Sequence, residues 1–197
     1  MGRSSTPGRR RPGAAGRPRA VGTTAAPVGA LSLEDATRPR VWDDFTLRPL
    51  ADAMHARPLF DFAALPWPDP ESVAFGWGAS AGGSDELVAV ALAERAGRAV
   101  LLHGPLVRID RLGTIDPLQL ASQLLRPVLD HAAALGADTA FTRPHGLDRV
   151  WIRFGFIPVP ESALPAAFAG HAGAGLYGWR GGSALWTLRE PADVTAA

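Results

Sequence analysis

The strongest periodic signal in the chain is DPLQLASQLLRPVLDHAAALGA, residues 116–137. Apolar residues recur there at Leu120, Ala121, Leu124, Leu125, Val128, Leu129, Ala132 and Leu135, which is one face of a helix. Asp116 suits the N-cap, Pro117 the first helical position and Gly136 the C-terminal cap. Pro127 conflicts with this pattern. An interior proline costs about 3 kcal/mol, so a bend is expected there.

Other stretches are apolar in short runs. ELVAVALAERA and RAVLLHGPLVRI are rich in Val and Leu and are separated by Gly97, which predicts two adjacent strands in a hairpin. SVAFGWG, DTAFTRP, GFIPVP and SALWTLRE read as further strands, and VWDDFTLRPL as a first strand with a polar start. ADAMHARPLFDFAAL reads as a short helical region broken by Pro58. PWPDPE is a loop, because its prolines permit neither helix nor ladder. GLDRVWIRF is a short helix. The order is strands, main helix, strand, short helix, strands, with no internal repeat. The fold class is therefore α/β (α+β): a mixed, mostly antiparallel sheet flanked by helices, with one strand-helix-strand unit in the middle.

Charge divides the chain. All 20 basic residues are Arg, and there is no Lys, Asn or Cys. Disulfides and thiolate metal sites are thereby excluded. Residues 1–33 carry six Arg and no acid; the remainder holds 14 Arg against 19 acids, a net −5. Residues 1–40 are rich in Arg, Pro and Gly without apolar period, and are expected to be a disordered tail. The domain is expected over residues 41–191, with residues 192–197 as a disordered end. MGRSST fits a myristoylation pattern, the Arg-rich start resembles a transit peptide, and Arg10-Arg11 resembles an export signal. A solvated tail is preferred to each, and the expected location is cytoplasmic. No apolar run approaches the roughly 18 residues of a membrane helix. The acidic remainder argues against a nucleic-acid surface, leaving only the tail for weak contact with anionic polymers. The His residues are scattered without metal-ligand spacing, so no metal is expected.

The most informative joint is DRVWIRFGFIPVPE, residues 148–161, where a helix runs straight into a strand through Phe154-Gly155-Phe156. That corner needs a residue tolerant of positive φ, which is the job of Gly155, and the flanking Phe side chains can pack under the sheet. A helix, RFGF and a strand, placed after the HAAALGADTAFTRP unit, resemble the Gcn5-related N-acetyltransferase (GNAT) superfamily over residues 45–189. The resemblance implies transfer of an acetyl or other acyl group from acetyl-CoA, as co-substrate, to an amine on a small molecule or a protein. It also admits a homodimer paired through sheet edges or the last strands.

Under that resemblance, backbone N–H groups of Leu106 or Val107 would face the thioester. Gly104-Pro105 just before them suggests a bulge. Gln119, Leu120, Ala121 and Ser122, at the start of the main helix, would lie on the pyrophosphate of the cofactor. Departures accompany it. Where the family usually opens this helix with Arg or Gln and a glycine-rich run, this chain has Asp116 and Gln119, and only Ala121 fits. Asp116 would repel a pyrophosphate by about 1 to 4 kcal/mol at contact range, which Arg108 and Arg111 could offset. Trp151 stands where many members carry a proton-donating Tyr, and an indole cannot act as a general acid. The only Tyr, Tyr177, reads as a loop residue or a lining of the acceptor pocket. His103 and Glu94 are the candidate general bases; the plain alternative is that each is a surface or satisfied core residue. His145, Glu71 and Glu161 read as loop or surface positions. Two classes remain: an acyl-CoA-dependent N-acyltransferase, and a protein of the same fold that serves as a ligand-binding or interaction module without catalysis.

Overall fold

The computed structural model describes residues 31–170 and 175–180. They build one sheet of eight strands. β1 (Arg40–Trp42), β2 (Phe45–Pro49), β3 (Val73–Ala81), β4 (Leu87–Ala96) and β5 (Ala99–Val107) form an antiparallel meander. β5 then pairs in parallel with β6 (Thr139–Thr142). A parallel neighbour needs a crossover, and α3 (Pro117–Ala134) supplies it. β8 (Tyr177–Arg180) and β7 (Ile157–Pro158) complete the far edge, both antiparallel to their neighbours.

The meander follows from composition. β4 is buried along eight consecutive residues, Leu87 to Glu94, because both faces of the sheet are covered. Ala89, Ala91 and Ala93 join Leu120, Leu124, Leu125 and Val128 of α3 on one face. Val90 and Leu92 join Leu59 and Phe60 of α2 (Arg57–Phe62) on the other. A run apolar on both faces is the signature of such a central strand. Across the sheet, the Trp77 indole donates to His131 Nδ1 of α3 at 3.2 Å.

The helix α3 begins as the sequence predicts. The Asp116 carboxylate accepts from the Leu118 amide at 2.9 Å, and Gly136 beyond the end has φ +83°. It runs unbroken through Pro127, which is buried; packing of Leu124, Leu125, Val128 and Leu129 outweighs the lost backbone hydrogen bond. Pro58 does not break α2 but stands in its first turn, where its missing N–H costs nothing. VWDDFTLRPL is two strands rather than one: Asp43 takes φ +52° and the chain reverses, a conformation that Asp tolerates. The folded part also starts earlier than residue 41. Ser32 caps the turn of helix α1 (Leu33–Ala36), Ala36 is fully buried, and the turn rests on α3. Four residues are too few to show a period. SALWTLRE lies outside the described residues.

The corner at residues 154–156 follows α4 (Asp148–Arg153). Gly155 has φ +81°, and Phe154 and Phe156 are buried in the core on the α3 side. Trp151 meets Phe156 edge-on, with ring centroids 4.9 Å apart.

Candidate active site

Two irregularities of the sheet open a site at its middle. Along β4 and β5, Val90 lies opposite Leu106 and Leu92 opposite His103, so Ala91 faces both Gly104 and Pro105. Two residues against one is a β-bulge. Gly104 adopts φ +92°, and a Cβ there would sit 2.8 Å from the Val90 carbonyl oxygen. Meanwhile the β5–β6 ladder ends at Leu102 opposite Thr142, where the buried Thr142 hydroxyl donates to the Leu102 carbonyl at 3.1 Å. From His103 to Val107, β5 runs on without a β6 partner. The Arg108 amide donates to Val88 of β4 at 2.8 Å. Alternation then turns the Leu106 N–H towards β4 and the Val107 N–H towards the opening. Of the two amides the sequence suggests, Val107 is the one facing out, and Pro105 has none.

Glu94 and His103 lie diagonally across β4 and β5 on one face, close enough for side chains to meet. His103 Nε2 is 2.8 Å from Glu94 Oε1. Glu94 is almost wholly buried and the His103 side chain is 16% exposed. An ionised Glu94 accepts the Nε2 proton, fixes the tautomer and leaves Nδ1 as the basic nitrogen. His145, in the turn after β6, has φ +45°. Burial, followed by the charges of His103 and Arg143, pushes its pKa below the usual histidine value.

Two cavities meet at His145 and Leu65. One, of about 350 Å³, is lined by apolar residues that include Leu59, Phe62, Leu106, Val107, Leu118 and Leu147. The other, of about 210 Å³, has His103, Arg143, Trp67, Asp69 and Phe60 in its walls. The Arg143 side chain is 9% exposed and forms a two-point pair with Glu161, one arm at 2.9 Å; its Nη1 also donates to the Gly175 carbonyl at 3.0 Å.

The start of α3 departs from the expected amide cradle. Pro117 has no N–H, the Leu118 amide is held by the Asp116 carboxylate, and the Gln119 and Leu120 amides by the Asp116 carbonyl at 3.0 and 3.2 Å. Leu120, Ala121 and Ser122 are buried, and the Ser122 hydroxyl donates to the Leu118 carbonyl at 2.7 Å. Free first-turn amides make a phosphate site, and here they are committed. The cations that could offset Asp116 are also occupied: Arg108 pairs with Glu86 and Asp110, and Arg111 with the same two acids. The Arg108 pairing holds the Asp110 carboxyl below the usual carboxylate range. The open β5 edge and apolar cavity fit the thioester arm of an acyl-CoA; the α3 start does not fit its diphosphate.

No protein-family model and no curated protein sequence matches the chain. Solved structures do. An acetyltransferase of the GNAT family from Staphylococcus aureus aligns over 68% of this chain and 98% of its own at 11% identity, TM-score 0.52. An acetyltransferase from Streptococcus agalactiae aligns over 71% and 99% at 11% identity, TM-score 0.52. N-acetylglutamate synthase from Neisseria gonorrhoeae, complexed with coenzyme A and N-acetyl-glutamate, aligns over 71% of this chain and 36% of its own at 16% identity, TM-score 0.55. The fold is that of the GNAT superfamily.

Several side chains stand differently in this GNAT fold than the sequence suggested. Trp151 is fully buried and lines neither cavity, and its indole nitrogen has no hydrogen-bond partner. Tyr177 is not a loop residue. It lies in β8 and pairs with Thr142 of β6, and its hydroxyl donates to Asp148 Oδ1 at 2.7 Å, a bond that raises its pKa. Glu161 is exposed, as read, yet it partners Arg143. Glu71 is exposed. Arg143 is the candidate missed from sequence, and His145, a loop residue as read, lines both cavities. The signal for Arg143 was its place just after the parallel strand β6, where open sheets part and ligands enter. Among the described residues no group of acids and histidines is arranged for a metal, and no helix is long and apolar enough to cross a membrane.

Proposed function

We propose that this GNAT-fold protein transfers an acyl group from a thioester to an amine, with His103 as general base and Glu94 as its positioning residue. The observation that carries the reading is the Glu94–His103 pair at 2.8 Å beside the parted strands β5 and β6. Acetyl-CoA is the donor that the fold implies, and it supplies an acyl carbon already activated by sulfur. His103 Nδ1 takes the proton from the acceptor nitrogen as the nitrogen–carbon bond forms and the carbon–sulfur bond breaks. The imidazolium, stabilised by Glu94, returns that proton to the departing sulfur. This removes the need for a second acid, which buried Trp151 does not supply. The Val107 N–H, on the unpaired edge of β5, is aimed where negative charge develops on the acyl oxygen.

Committed amides at α3 support a donor held chiefly by its thioester arm in the apolar cavity, and weakly by its diphosphate. The test is release of free thiol from acetyl-CoA by the full chain, in the presence of a panel of primary amines. Amine-dependent release supports the reading. Absence of release with every amine, together with no binding of acetyl-CoA at millimolar concentration, refutes it.

A further inference from the structure

The smaller cavity has a built anion-recognition wall that the proton-transfer pair does not use. Arg143 is nearly buried, and its guanidinium is met by the Glu161 carboxylate in a two-point pair. Such a fork matches any carboxylate equally well. Glu161 comes from a surface 3-10 turn, Glu161–Ala163, and its side chain is 61% exposed. It can therefore swing into water and leave the fork to another carboxylate. The Trp67 indole N–H, in the same cavity wall, is buried without a protein acceptor, and a ligand oxygen would satisfy it. Phe60, Leu65, Leu101 and Leu102 give that wall an apolar part.

Resting on the acyl-transfer reading, we propose that the acceptor is an amino acid with an apolar side chain, whose carboxylate replaces Glu161 on Arg143 while its amine faces His103. Glu161 is then a placeholder. It keeps Arg143 paired when the cavity is empty and competes with the substrate, so that affinity is reduced by the fraction of time the fork is occupied. Asp69, also in the wall, accepts from the Glu71 amide at 3.1 Å, which ties its carboxylate to its own turn.

Three probes separate the contributions: L-norleucine, L-norleucinamide and 1-pentylamine, titrated calorimetrically into the full chain without any thioester. Norleucine is expected to bind, with the amide and the amine about tenfold weaker or worse, because they leave the fork to Glu161. Glu161→Gln, at an exposed position, is expected to tighten norleucine by about threefold to tenfold and to leave norleucinamide unchanged. Arg143→Lys should weaken norleucine alone, with circular dichroism reporting the fold. Equal binding of the three probes overturns the proposal. So does a Glu161→Gln chain that binds norleucine no better than the parent, or not at all at millimolar concentration. These titrations need no thioester, so their failure is distinct from failure of thiol release, which would overturn the acyl-transfer reading instead.

Discussion

A single methyl group at Gly104 should test whether the β5 bulge is held by close backbone approach. Gly104→Ala places a Cβ 2.8 Å from the Val90 carbonyl oxygen, 3.0 Å from the Leu106 nitrogen and 3.5 Å from Ala91 Cα. All three are backbone atoms of a doubly covered sheet and cannot step aside. The residue also sits at φ +92°, which costs an L-residue about 1 to 2 kcal/mol. Overpacking adds about 1 to 3 kcal/mol. The sum, about 2 to 5 kcal/mol, is a large part of the roughly 5 to 15 kcal/mol that holds a domain together. Gly97→Ala is the control. Gly97 has φ +59° in the β4–β5 turn with nothing within 4 Å of its Cβ, so about 1 kcal/mol is expected. Urea unfolding, followed by tryptophan fluorescence and far-ultraviolet circular dichroism, gives both values from midpoints at equal slope. A Gly104→Ala cost no larger than that of Gly97→Ala would refute the reasoning.

Three further outcomes follow from named contacts. Asp116→Asn keeps an oxygen to cap α3 but removes the carboxylate charge; acetyl-CoA binding should tighten by about threefold to tenfold, whereas acetyl-pantetheine, which lacks the diphosphate, should bind the two proteins equally in the same calorimetric assay. Burial holds the pKa of His131 below its ordinary 6.5, and its Nδ1 accepts the Trp77 proton, so the unfolded chain binds a proton that the fold rejects; stability is full above about pH 6.5 and falls as pH drops below it, and His131→Gln, which can still accept from Trp77, should flatten that slope in urea titrations from pH 7.5 to 5.5. Trp151→Phe removes buried aromatic area and should lower stability by about 1 to 3 kcal/mol while thiol release stays at the parent rate, since Trp151 lines neither cavity.

Much of the frame was legible in the sequence because each element carried its own signal. The Asp116-Pro117 start, the stripe through Leu135 and Gly136 spell out α3, and Gly97 between two apolar runs spells out the β4–β5 hairpin. Gly104-Pro105 likewise announced the bulge. What escaped was decided by distant partners. Arg143 and Glu161 are 18 residues apart and mean nothing until the turn after β7 folds back beside β6. YGWR looked like loop because it is short and glycine-flanked, yet it finds a ladder on β6. At the α3 start the residue types show Asp116 and Gln119 in place of a glycine-rich run, but residue types do not show that Asp116 satisfies the first-turn amides with its own carboxylate and carbonyl. Glu94 and His103 illustrate the middle case: each was recognisable by residue type, but their meeting depends on the strand register, which a one-residue slip would destroy.

The most direct test of the central claim is the rate of amine-dependent thiol release from acetyl-CoA by the parent chain and by His103→Gln, with thioester binding measured on both. The account predicts a loss of about 10² to 10⁴ in rate with thioester affinity retained. An undiminished rate in His103→Gln would contradict it.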